Sequence, residues 1–222
     1  MSILFTLVTF LLFITVSYYR SRQQPVVATG PLLAQRAVSP AKMIRAYGLE
    51  FPEGYSFHQG HTWAAQEAGQ HVRVGLDSFA AKLLGKADKI ETARPNRWVR
   101  QGQKIWTVSR NGMSVEMLAP VEGVVSEVNP AVVADPDLAI RDPYGEGWVL
   151  AIQSPDLKTN LSNLIRSALA PAWMQNSLDR LAAMTSQVVA PVAQDGGLPI
   201  QGLLSQVEPK LQRRLIREFF LT

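Results

Sequence analysis

Apolar residues in the middle of the chain come in short runs that alternate or stay continuous over a few positions, and Gly, Pro and Asn separate them. That rhythm predicts strands. His61 to Ala65 and Val72 to Leu76 read as two strands around Ala68-Gly69, with Val72, Val74 and Leu76 on one face. Asp77 caps a predicted short helix, SFAAKLL, whose Phe79, Leu83 and Leu84 can face a sheet, and Gly85 closes it. Further strands are predicted around Ile90, at Trp98-Val99, at Ile105 to Ser109, at Ser114 to Leu118, at Val124 to Val128 and at Trp148 to Ile152. Asn111-Gly112 accepts the positive φ of a two-residue turn, so the strands on either side of it form a hairpin. Ala119-Pro120 ends the second strand, and Gly123 allows the turn into the next. Many short strands at close spacing indicate a small all-β barrel or sandwich.

Two other patterns flank this block. From Leu157 the period lengthens: Leu161, Leu164, Ile165, Ala168 and Leu169 form a helical face, and Pro171 interrupts it. Trp173, Met174, Leu178, Leu181 and Met184 make a second face. Val188 to Pro199 reads as a loop, and Val207 to Leu221 as a last helix with Leu211, Leu215 and Phe219 opposite Arg213, Arg214 and Arg217. At the other end, Met1 to Tyr19 carries no charge and has about the 17 to 25 residues that cross a bilayer. Tyr18 and Tyr19 suit the membrane interface, and Arg20 and Arg22 follow at once. No basic n-region or small-x-small site accompanies the run, so it reads as a retained single-pass anchor and not a signal peptide. The charge bias places the N-terminus outside and the globular part in the cytoplasm. Residues 23–54 hold Pro25, Pro31, Pro40 and Pro52 and read as a tether with one short helix near Ala41 to Tyr47. The expected organisation is an anchor over 1–22, a tether over 23–54, a β domain over 55–154 and a helical extension over 155–222.

Charge and composition narrow the chemistry. The net charge is +4, but no acid occurs before Glu50 while Arg20, Arg22, Arg36, Lys42 and Arg45 do, which points to an anionic membrane surface and not to nucleic acid. No cysteine is present, which excludes disulfides, thiolate metal sites and a cysteine nucleophile. His58, His61 and His71 lack a carboxylate cluster to complete a metal site, and Asp135, Asp137, Asp142 and Glu146 lack calcium-loop spacing and read as turn formers and caps. Arg94, Arg97, Arg100 and Lys104 with Trp98 and Trp106 read as a solvated edge with core aromatics. No nucleophile-base pair can be nominated, so the chain is not expected to be an enzyme, and neither a cofactor nor a small-molecule substrate is indicated.

Within these elements, His61-Thr62-Trp63-Ala64, Val72-Arg73-Val74-Gly75-Leu76, Ala119-Pro120-Val121-Glu122-Gly123 and the run from Asn129 to Trp148 with DPYGEGW resemble the H protein of the glycine cleavage system, of the lipoyl-domain family. The resemblance covers about Tyr55 to Ile152. It implies a barrel-sandwich hybrid, mainly β with α, whose hairpin presents a lipoyl-lysine to partner enzymes. Counting back from Ala119-Pro120, and forward from Ile90-Glu91, the expected lipoyl-lysine position holds Gly112. The nearest lysine in that hairpin is Lys104, near the start of the preceding strand. Glycine supplies no amine for an amide, so the resemblance carries the fold and not the attachment chemistry. The expected function is therefore an unlipoylated, membrane-anchored scaffold or accessory subunit of a membrane complex. The alternatives are a lipoyl carrier of glycine cleavage or a related system, and an export-pump membrane-fusion adaptor. The expected partners are the bilayer and membrane proteins. Candidate contact residues are Arg110 and Asn111 at the tip and Trp173, Arg213, Arg217, Phe219 and Phe220 in the extension.

Overall fold

A computed structural model of the chain describes residues 42–185 and 201–222. The expected anchor with its flanks Tyr18, Tyr19, Arg20 and Arg22, and the loop Val188 to Pro199, lie outside the described residues. Among those described, no helix is long and apolar enough to cross a membrane.

Strands dominate up to Gln153. They are β1 (Met43–Ala46), β2 (Leu49–Pro52), β3 (Tyr55–Phe57), β4 (Thr62–Gln66), β5 (His71–Leu76), β6 (Lys89–Thr92), β7 (Trp98–Val99), β8 (Lys104–Arg110), β9 (Met113–Leu118), β10 (Gly123–Val128) and β11 (Leu150–Gln153). Helix α1 (Ser78–Leu84) follows β5, and α2 (Pro130–Ala134) and α3 (Leu138–Arg141) lie between β10 and β11. The last part holds α4 (Leu157–Ser162), β12 (Ile165–Arg166), α5 (Ala170–Thr185), a 3₁₀ turn (Leu203–Ser205) and α6 (Pro209–Phe220). A seven-stranded sheet runs in the order β12-β3-β4-β5-β11-β10-β7, a three-stranded sheet in the order β6-β8-β9, and β1 pairs with β2 alone. This is a mainly β, barrel-sandwich-like arrangement with helices added to it. Its core takes Val72, Val74 and Leu76 from β5, Val108 and Val115 from the hairpin, and Phe79, Leu83 and Leu84 from α1, all fully buried.

The local chemistry explains most boundaries. Asp77 caps α1, its Oδ1 accepting from the Ala80 amide at 2.8 Å, and Gly85 closes the helix at φ 77°. Asn129 caps α2 in the same way, and the Asp142 carboxylate accepts from the Gly145 and Glu146 amides to shape the turn before β11. Asp135 and Asp137 both pair with Arg141, so these acids are indeed turn and helix-end formers.

Two expectations are corrected. Ala41 to Tyr47 does not form a helix. Tyr47 and Gly48 both adopt positive φ, 55° and 71°, and fold β1 back onto β2, which sends Leu49 and Phe51 into the core. Residues 43–52 are therefore part of the folded body and not tether. In the extension, the helical face does not continue through Leu164 and Ile165. Helix α4 stops at Ser162, and β-branched Ile165 instead pairs with Phe57 on the edge of the large sheet. Pro171 does not break a helix either. It is the second residue of α5, in the first turn, where its missing N–H leaves no bond unmade.

Candidate functional site at the hairpin tip

The β8–β9 hairpin pairs Ser109 with Ser114 and Arg110 with Met113, and Asn111-Gly112 forms its two-residue turn with φ of 47° and 79°. Both positive values match the turn type whose twist suits paired strands. The tip is tied inward. The Arg110 guanidinium donates to the Leu84 carbonyl at 2.8 Å, capping the last turn of α1, and the Asn111 amide donates to Asp88 Oδ2 at 3.0 Å. Gly85 and Gly202 make the close approach possible: a Cβ on Gly85 would meet the Gly202 Cα at 2.5 Å. Gly112 has open space around it, so nothing but its own φ restricts what stands there.

No tip residue offers a nucleophile, an acid or an amine. Lys104 sits at the far end of the hairpin, in register with Leu118 and ion-paired with Glu116. The lysine beside the tip is Lys89, which pairs with Ser109 across the small sheet and is exposed, 2.6 Å from Glu91. Sequence separation hid it, because β6 and β8 meet only through the antiparallel register.

The nominated contact residues divide. Asn111, Arg213 and Arg217 are exposed. Arg217 lines an open groove of about 450 Å³ with Arg180, Met184 and Arg214. Arg110 is half-buried and committed to Leu84. Phe219 and Phe220 are fully buried, and Trp173 is half-buried against Phe57. These three aromatics close over His61, whose ring lies 4.3 Å from Phe79, 4.9 Å from Trp173, 6.0 Å from Phe219 and 6.3 Å from Phe220. Phe219 and Phe220 are thereby withdrawn from any docking surface, because the chain's own helices pack on the β body.

His61 is itself fully buried at φ 58°, with Nδ1 2.8 Å from Asp77 Oδ2. Its Nε2 has no partner among the described residues. The neighbouring Thr62 hydroxyl donates to the Leu118 carbonyl at 3.0 Å, tying β4 to the base of β9. His58, close by, is held below the ordinary histidine range by burial and then by His61. Tyr144 is pushed up by burial, and its hydroxyl accepts from the Ser78 amide at 2.9 Å. His61 and Asp77 are both fully buried and bonded to each other, a pair that braces β4 against the start of α1. Among the described residues no group of His, Cys, Asp and Glu could hold a metal.

One aromatic departs from expectation in the opposite direction. Trp106 is core, but Trp98, read as core, is 48% exposed.

A family model described as glycine cleavage H-protein matches residues 55–176. The chain is similar to the glycine cleavage system H protein of a Synechococcus strain, with 36% identity over 49% of this chain and 83% of that protein. It is also similar to that of Thermus thermophilus, with 32% identity over 49% and 84%. A solved H protein from Mycobacterium marinum aligns with 30% identity, covering 57% of this chain and 98% of that one, at a TM-score of 0.48. The Synechococcus and Thermus proteins are named glycine cleavage system H proteins, which supports the carrier alternative better than a membrane scaffold.

Proposed function

Because the chain belongs to the glycine cleavage H-protein family, whose members carry a group between enzymes and are not catalysts themselves, we propose that it acts by docking on other proteins through this fold, without a lipoyl-lysine of its own. The reading is supported by the Asn111-Gly112 turn, together with the count from Ala119-Pro120 that puts the family's attachment lysine at Gly112. An acyl ligase joins its group to an amine at an exposed turn, and this turn has none. The Arg110 and Asp88 bonds further suit a fixed contact surface more than a mobile prosthetic arm. In this reading residues 1–22 hold the protein to a membrane, with the globular part on the cytoplasmic face, as a scaffold or accessory subunit of a membrane complex. The motivation is the uncharged run Met1 to Tyr19 followed by Arg20 and Arg22. Helices α5 and α6 act as a cover on the β body.

The second reading is a lipoyl carrier, favoured by the named relatives and by Lys89 beside the tip. Intact-mass measurement of the full chain after expression with lipoate and a lipoate ligase separates the two. The proposed reading expects an unmodified wild-type chain and a lipoyl adduct in Gly112→Lys, where a side chain has room. A wild-type adduct that disappears in Lys89→Arg establishes the carrier instead.

A further inference from the structure

We propose that the segment from Ala93 to Gln103, at the base of the hairpin, is a docking surface for an acidic segment of a protein partner, with Trp98 as apolar anchor and Arg94, Arg97 and Arg100 as carboxylate-binding groups. It rests on the docking reading above and identifies the surface and the partner's chemistry.

The sequence supplies the charge. Between Glu91 and Glu116 no acidic residue occurs, while Arg94, Arg97, Arg100, Lys104 and Arg110 do. The fold then sorts these cations. Arg110 is spent on Leu84 and Lys104 on Glu116, whereas Arg94, Arg97 and Arg100 are exposed and, among the described residues, take part in no side-chain hydrogen bond or ion pair. A short edge strand places the aromatic among them. Val99 is buried against the core, so the alternation of the strand sends Trp98 to the opposite face, and Arg100, just past the strand, is exposed.

The segment is also built to hold still. The Ala93 amide donates to Ile105 O at 2.8 Å, Asn96 N to Val125 O at 2.8 Å, Val125 N to Arg97 O at 2.9 Å, and Gln103 N to Arg100 O at 3.0 Å. The Arg100 amide is held by the Gln103 side chain at 3.0 Å. A surface ordered before contact gives up little backbone entropy on binding. Its residue types match those that dominate protein interfaces, where Trp and Arg anchor and Lys is depleted. All three of these cations are arginine, the side chain whose planar fork fits a carboxylate in two parallel bonds. Attraction to a lipid surface would make no such choice between Arg and Lys, and single-stranded nucleic acid would call for several stacking aromatics where this segment has Trp98 alone.

The test uses the full chain in its native host, with the photoreactive residue p-benzoylphenylalanine replacing Trp98 in one strain and exposed Leu169 in a control. After irradiation, crosslinked peptides are sequenced. The expected result is one protein adduct from position 98, absent from position 169, mapping to a segment where Asp and Glu outnumber Lys and Arg. Its yield should fall on the order of tenfold when Arg94, Arg97 and Arg100 are all changed to Gln, with the melting temperature of the chain unchanged. An adduct to lipid or nucleic acid, to a segment without acidic excess, an equal yield from the triple variant, or no adduct at position 98 overturns the proposal. Intact mass of the same sample keeps the two readings apart: a lipoylated chain that still crosslinks at 98 removes the unlipoylated reading and leaves this surface standing.

Discussion

The His61 and Trp98 neighbourhoods both set aromatic rings beside nitrogen-bearing side chains, and they come out opposite. Around His61 the rings of Phe79, Trp173, Phe219 and Phe220 close from two sides, and the histidine is fully buried. Around Trp98 nothing among the described residues closes: the indole is half exposed, and the side chains of Arg94, Arg97 and Arg100 make no hydrogen bond or ion pair there. The difference is in what the chain returns to each place. Helices α5 and α6 come back over the first, while the second ends a sheet at a two-residue strand. Composition alone does not tell core from contact, because the same side chains serve both and only the packing partner decides.

Substitution measures that contrast directly. Phe219→Ala should cost about 3–5 kcal/mol, read as a loss in urea-unfolding free energy, since it opens a cavity beside His61, Phe79 and Arg180. Trp98→Ala should cost under about 1 kcal/mol in the same assay, as a surface position. Equal losses would mean the two regions are not different in kind. Arg110→Ala should fall between, at about 1.5–3 kcal/mol, because it strips a charged donor from the Leu84 carbonyl, whereas Arg97→Gln should stay within about 0.5 kcal/mol.

The smallest effect concerns acidity. His58 has a folded pKa below its unfolded value of about 6.5, through burial first and His61 second, so it favours the neutral form in the fold. Its contribution is intact above the unfolded pKa and is lost as pH falls through the unfolded and then the folded value. Wild type should therefore lose more stability than His58→Gln between pH 7 and pH 5, in paired denaturation curves; parallel curves would remove His58 from the acid sensitivity of the covered face.

Much of the β body is legible in the sequence because each boundary has a local cause. Asp77, Gly85, Asn111-Gly112 and Pro120 fix their turns and caps within a few residues, and the strands they bound appear within one or two positions of expectation. What is not legible depends on distant partners. Lys104 is the nearest lysine along the hairpin and lies at its far end, whereas register brings Lys89, distant in sequence, beside the tip. The Met43–Ala46 strand is hidden because it pairs only with its own hairpin neighbour, and its helix-compatible residues give no period-two signal. Phe219, Phe220 and Trp98 fall on the wrong sides in the sequence reading because periodicity states which face is apolar and not what lies against it. At the tip the turn is legible: Asn111 and Gly112 adopt the positive φ that their residue types predict.

Asp77 links two parts of the molecule through one side chain, its Oδ1 holding the first turn of α1 and its Oδ2 holding His61. The two positions are consequently coupled in the genetic sense. An asparagine or serine at 77 can still start the helix but offers His61 a different partner, and an apolar residue at 61 leaves a buried carboxylate oxygen with nothing to bond. Effects of changes at 61 and 77 will not add, and a lineage that loses His61 keeps only the helix cap as a reason for Asp77.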